Sequence, residues 1–105
     1  MVDDVVTERL HRRIRSDFPD EQAARGVAGA LRALVADLGA GGMHGTSAER
    51  LAAAVLFVAR GDVRRLRTAV ATAKTDWRDL LVSAELATAD WPTRLDGELG
   101  PLGPA

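Results

Sequence analysis

The chain has 105 residues, the usual size of one domain and too few for two independent cores. Apolar residues make up 47% and charged residues 28%, a balance that excludes a disordered chain and a membrane-embedded one, and a net charge of −1 means that global electrostatics favours no class of partner. Cysteine is absent, which excludes disulfides, thiolate nucleophiles and sulfur-ligated metal together.

The N-terminus MVDDVVTERLHRRIR carries acids first and lacks the apolar segment of a signal peptide. The longest apolar run, LAAAVLFVA at 51–59, is nine residues, about half of what a bilayer requires. A cytoplasmic protein without a membrane anchor is expected. There is no tyrosine, only two phenylalanines, and no sustained alternation of period two bounded by hairpin turns, so strands are not expected.

Helical spacing recurs instead. The first helix is expected to begin near Asp3 or Asp4, to carry Val6, Leu10, Ile14 and Phe18 down one face and to stop at Pro19. The second begins around Asp20, with Ala24, Val27, Leu31, Leu34 and Leu38 at spacings of three and four. On it Gly26, Gly29 and Ala30 are small enough to let a neighbouring backbone come close, at some cost in helix propensity. The run GAGGMHG at 39–45 then interrupts the pattern and is expected to be the most mobile internal segment.

Thr46 and Glu49 stand three apart in TSAE, the spacing of a capping box, so a third helix is expected from Ser47. Its unbroken apolar run points to a helix buried on most of its circumference, at the centre of the bundle. Gly61 can take the left-handed conformation that ends it, and Asp62 can cap the next helix at once. Beyond the corner, Val63, Leu66, Val70, Ala73, Trp77, Leu80, Ala84 and Ala87 alternate spacings of three and four, which one helix of about 26 residues would satisfy. Two helices are expected all the same. Thr75 and Asp76 both suit an N-cap, and Asp76 and Asp79 then sit where the helix dipole favours acids. In that reading Trp77 is the first anchor of a buried face and Arg78 is left to pair with an acid or face water. A last short helix follows DWP, with Pro92 in its first turn and Leu95 and Leu99 pointing inward.

The stretch TDWRDLLVSAELATADWPTRL, with ERLAAAVLFVARGDVRRLRTAVATAK before it, resembles a group of small hypothetical bacterial proteins, common in actinobacteria, that share a GD…TDWRDLLV…DWPxRL pattern. The resemblance covers roughly residues 47–99, the first 46 sharing only general character. It implies a self-contained helical protein and brings no activity, substrate or catalytic residue with it.

Each feature able to carry chemistry has a plainer account beside it. His11 and His44 are the only histidines and stand in different elements, without a carboxylate at ligand spacing, so no metal site is expected. GAGGMHGTS lacks the lysine of a phosphate loop and the third glycine of a dinucleotide fingerprint, and follows a helix rather than a strand. Ser47 and Ser83 have no adjacent histidine, so nucleophilic catalysis has no support. As a carboxylate pair, Asp76 and Asp79 would need burial to raise one pKa, whereas the first turn of a helix favours the charged form. Trp77 and Trp91 could line an aromatic pocket, but tryptophans at apolar helix positions are ordinarily core.

Arg9, Arg12, Arg13 and Arg15 cluster on the first helix, and Arg60, Arg64, Arg65 and Arg67 around the 61–62 corner. Interleaved acids at Glu8, Asp17 and Asp62 favour a solvated, salt-bridged surface over a phosphate grip. The architecture expected is an all-α bundle of five or six short helices, one domain over 1–99, with a disordered tail GPLGPA at 100–105. The function expected is that of a non-catalytic protein-interaction or regulatory module without cofactor or metal. Its partner is another protein, met on a surface that includes Arg64, Arg65, Arg78 and Asp79. The alternative is a nucleic-acid-binding protein that uses the arginines at 9–15 and 60–67.

Overall fold

The computed structural model describes residues 6–40 and 48–100. Among these it holds five helices and no strand: α1 Glu8–Asp17, α2 Glu21–Ala40, α3 Ala48–Ala59, α4 Val63–Ser83 and α5 Trp91–Leu99. The all-α bundle expected from the spacing is the fold. Residues 41–47 lie outside the described residues, and with them the mobility expected of the glycine run, Ser47, His44 and the Thr46 half of the capping box. Gly39 and Ala40 belong to α2, so the helix runs two residues into the glycine run.

α3 is the axis of the molecule. Leu51, Ala52, Ala53, Ala54, Val55 and Leu56 are each 0% exposed, which no helix with a solvent face can achieve, and α3 touches all four other helices. Its most extensive partner is α4, which offers Leu66, Ala69, Ala73 and Leu80 as buried positions. Small side chains on both helices let their axes approach. Around this pair, α1 contributes Leu10, Ile14 and the flanking Val6 and Phe18, α2 contributes Val27, Leu31 and Leu34, and α5 contributes Leu95 and Leu99.

Caps explain where the helices begin and end. α1 starts at Glu8 rather than near Asp3, because the Thr7 hydroxyl accepts from the Leu10 amide and Val6 is already outside the helix. Gly61 closes the α3–α4 corner at φ 79°, and Asp62 caps α4 by accepting from the amides of Arg64 and Arg65. A Cβ on Gly61 would stand 3.0 Å from the Asp17 carbonyl oxygen, so both the left-handed backbone and the closeness of α1 require glycine there. α4 is one helix in outline but is broken at Asp76, whose φ of −156° and ψ of 96° are not helical. Asp76 accepts from the Arg78 amide at 3.0 Å, the N-cap of the segment beyond the break, while the Thr75 hydroxyl turns back to the Ala71 carbonyl. The expected pair of helices is thus present as a kinked one.

Five further expectations are corrected. No neighbour comes within 4 Å of a Cβ built on Gly26 or Gly29, and both are exposed, so they mediate no close approach. Val63 is 42% exposed, because the first turn of α4 projects past the corner. Trp77 is only partly buried, packed at the margin of the core with the Arg78 guanidinium 5.3 Å from its ring centroid. Ala87 is exposed because α4 ends four residues earlier. There the Leu86 amide donates to the Leu81 carbonyl at 2.8 Å and the Glu85 amide to that of Val82 at 3.1 Å, a Schellman turn that buries Leu86 in place of Ala87. The residue in left-handed conformation at that turn is Glu85, at φ 61°. Gly100, assigned from the sequence to a disordered tail, closes α5 by donating to the Asp96 carbonyl at 2.9 Å; residues 101–105 lie outside the described residues.

Candidate functional site

The buried row Leu10, Ile14, Phe18 divides α1 into two flanks, and each carries arginine. On one flank Arg9 is 4% exposed and almost wholly engaged. Its Nε and Nη2 donate to the two oxygens of Glu49 at 2.8 and 2.5 Å, and Nη1 donates to Asp96 Oδ1 at 2.7 Å and to the Gly100 carbonyl at 3.0 Å. The Thr7 hydroxyl adds a fourth donor to this knot, reaching Glu49 Oε2 at 2.6 Å. The fork of donors from Arg9 holds the Glu49 carboxyl below its ordinary pKa, against burial that pushes it up, with Thr7 adding to the lowering. α1, α3 and α5 are tied at this point. One turn on, Arg13 donates to Asp17 at 2.9 Å, stands 3.6 Å from Glu98 and lies over the Phe57 ring at 5.1 Å.

A polar cleft of about 280 Å³ opens on this flank, lined by Arg13, Phe57, Arg60, Ser83, Glu85, Arg94 and Glu98. Its charges answer one another: Arg94 pairs with Glu85 at 3.0 Å, and Arg13 with Asp17 and Glu98. Ser83 has no histidine beside it in this lining. Nearby, Arg50 donates through Nε at 2.8 Å and through Nη2 to the Leu86 carbonyl and lies 4.8 Å from the Trp91 ring centroid, and burial pushes its pKa down. Trp91 is therefore a stacking wall for an internal arginine.

The other flank faces α2 across a larger cleft of about 500 Å³. Its floor is apolar, formed by Ile14 and Phe18 from α1, Pro19 from the connection, and Ala24 and Ala28 from α2. Among the described residues its rim is basic, formed by His11 and Arg15 on α1 and by Arg25 and Arg32 on α2, with Glu21 as the one acid. Glu21 is bound to Arg25 at 2.9 Å in an exposed pair one turn apart. α2 lays out this rim because Glu21, Arg25, Ala28 and Arg32 follow spacings of four, three and four beside the core row Val27, Leu31, Leu34. The lining offers, among the described residues, no serine, threonine or lysine, and its acid, Glu21, is paired with Arg25. Among the described residues no group of three potential metal ligands comes together.

The residues singled out from sequence lie elsewhere. Arg64, Arg65 and Thr68 line a shallow groove with Val58, and through Thr68 it continues to a second one lined by Ala71, Thr72, Thr75, Asp76 and Asp79. Arg64, Arg65 and Asp79 therefore share an exposed strip of α4, whereas Arg78 turns over Trp77. Of the α1 arginines assigned to a phosphate grip, Arg9 and Arg13 are committed to acids of the same chain. Sequence reasoning missed the α2 half of the rim; the four-three-four spacing of its residues was the available signal.

No family model, curated protein or solved structure matches this chain. No helix among the described residues is long and apolar enough to cross a membrane.

Proposed function

We propose that this protein is a non-catalytic interaction or regulatory module that receives another protein in the α1–α2 cleft. The observation that supports the reading is the pairing of an apolar floor, Ile14, Phe18, Pro19, Ala24 and Ala28, with a basic rim that includes the exposed Arg15 and Arg25. In the polar cleft on the opposite flank Arg94 and Arg13 are paired with Glu85 and Glu98, and the α4 strip is shallow. The alternative, phosphate binding at the α3–α4 corner, draws on the exposed Arg60, Arg64, Arg65 and Arg67, but the Asp62 carboxylate already occupies the amides at the start of α4 that a phosphate would use.

Immobilised wild type, Ala24→Gln and Arg65→Glu proteins, exposed to the same native lysate, test the reading. The expected result is a protein retained by wild type and by Arg65→Glu but lost with Ala24→Gln, weakened but not abolished at raised salt. Loss with Arg65→Glu alone moves the interaction to α4. Capture of nucleic acid that falls steeply with salt overturns the module reading.

A further inference from the structure

α5 is the shortest of the five helices and depends on docking for its form. It touches α1 and α3 but neither α2 nor α4, and of its nine residues Leu95 and Leu99 are buried, with Trp91 half-buried at its start. Alone it is a poor helix. Its nine residues fall short of the roughly 12 that an isolated helix needs, the Asp90 carboxylate accepts from the Thr88 hydroxyl instead of capping the first turn, and Gly97 sits in the interior. No neighbour comes within 4 Å of a Cβ built on Gly97, so packing does not require the residue that weakens the helix.

The Arg9 knot divides along the same line. Nε and Nη2 hold Glu49 and so join α1 to α3, whereas Nη1 holds Asp96 and the Gly100 carbonyl, within α5 and at its end. When α5 leaves, Arg9 keeps both oxygens of Glu49 and Nη1 passes to water, so no charge is left buried without a partner. Asp96 and Glu98 are exposed even when docked and lose little hydration by it. The connection supplies a hinge: Leu86 is buried and its carbonyl is held by Arg50, while residues 87–90 are all exposed.

We propose that α5 is a releasable strap, which undocks as a unit from a body made of α1–α4 by bending at residues 87–90, with Arg9 paired to Glu49 in both states. Release uncovers the Arg9 guanidinium and the faces of α1 and α3 that α5 covers. The strap is independent of the α1–α2 cleft, which no residue of α5 lines.

Hydrogen exchange of the full-length protein, followed amide by amide, tests this. In the wild type the amides at 95–100 are expected to share one protection factor, about tenfold or more below that of the α3 amides. Gly97→Ala should raise the protection of α5 about threefold, because it strengthens the docked helix. Val27→Ala, buried in α2 away from α5, should lower α3 protection about tenfold and leave that of α5 unchanged. Leu34→Val serves in its place if that variant does not fold. Protection that grades inward from Gly100 shows fraying in place and overturns the strap. Equal protection of α5 and α3, or an equal loss in both when the α2 core is weakened, shows a single cooperative unit and overturns it as well. So does a Gly97→Ala protein whose α5 amides exchange as in the wild type.

Discussion

The two flanks of α1 carry the same residue type and use it in opposite ways. Arg9 and Arg13 face α3 and α5, where Glu49, Asp96 and Glu98 stand ready, and they become part of the scaffold. Arg15, two positions further along the same helix, faces α2, where Arg25 lies across from it and Glu21 is already paired with Arg25. An arginine on this helix is structural or available according to the neighbour its flank meets. The closed flank is expected to resist change poorly and the open flank to tolerate it.

The largest effect is expected at the closed flank. Arg9→Met leaves the half-buried Glu49 carboxylate without its counter-ion and should cost about 3 kcal/mol in denaturant unfolding, most of which the double variant Arg9→Met/Glu49→Leu should restore. A loss near that of an exposed arginine would show the knot to be ornamental and the two flanks equivalent.

Gly61→Ala comes next. It forces an L-residue into left-handed backbone and presses a methyl group against the Asp17 carbonyl, and should cost about 2 kcal/mol, read by thermal or chemical unfolding. Because Asp17 holds Arg13, the same variant should also loosen the closed flank, visible as faster hydrogen exchange at the end of α1.

Acid separates the flanks without mutation. The folded-state pKa of Glu49 lies below its unfolded value of about 4.5, so its contribution is complete above that pH and is lost as pH falls through the lower, folded value. Stability measured from pH 6 to pH 3 should therefore fall below about pH 4.5 in the wild type and fall less in Arg9→Met/Glu49→Leu.

Smaller and opposite in sign is Glu85→Gly. Relief of left-handed backbone at the Schellman turn should stabilise the protein by about 0.5 kcal/mol, after the loss of the exposed pair with Arg94 is set against it. The smallest effect is expected on the open flank. Arg15→Glu should change stability by no more than about 0.5 kcal/mol, and a loss of several times that would place this arginine in the scaffold with Arg9.

A bundle of five or six helices, the buried face of α1, the largely buried α3, the Gly61–Asp62 corner, the cap at Asp76 and Pro92 in the first turn of α5 were all legible in the sequence, because each depends on residues within one or two turns of chain. Spacing of apolar residues and local capping chemistry are short-range quantities. The same logic failed at Ala87, where the apolar spacing continued but a left-handed Glu85 ended the helix: a glutamate at that position carries no local signal, and Leu86 could be recognised as the buried residue only from the core that receives it.

The candidate site divides in the same way. The α2 stripe of Arg25, Ala28 and Arg32 was present in the spacing, and so were the two flanks of α1. Which flank would meet acids from 40 and 87 residues away, as Arg9 does at Glu49 and Asp96, was not. Short-range periodicity determines where a helix forms and which face it buries. The partner of a charged side chain beside that face is chosen only when distant helices pack, because a guanidinium has the same local preferences whether a carboxylate or open water waits across the gap.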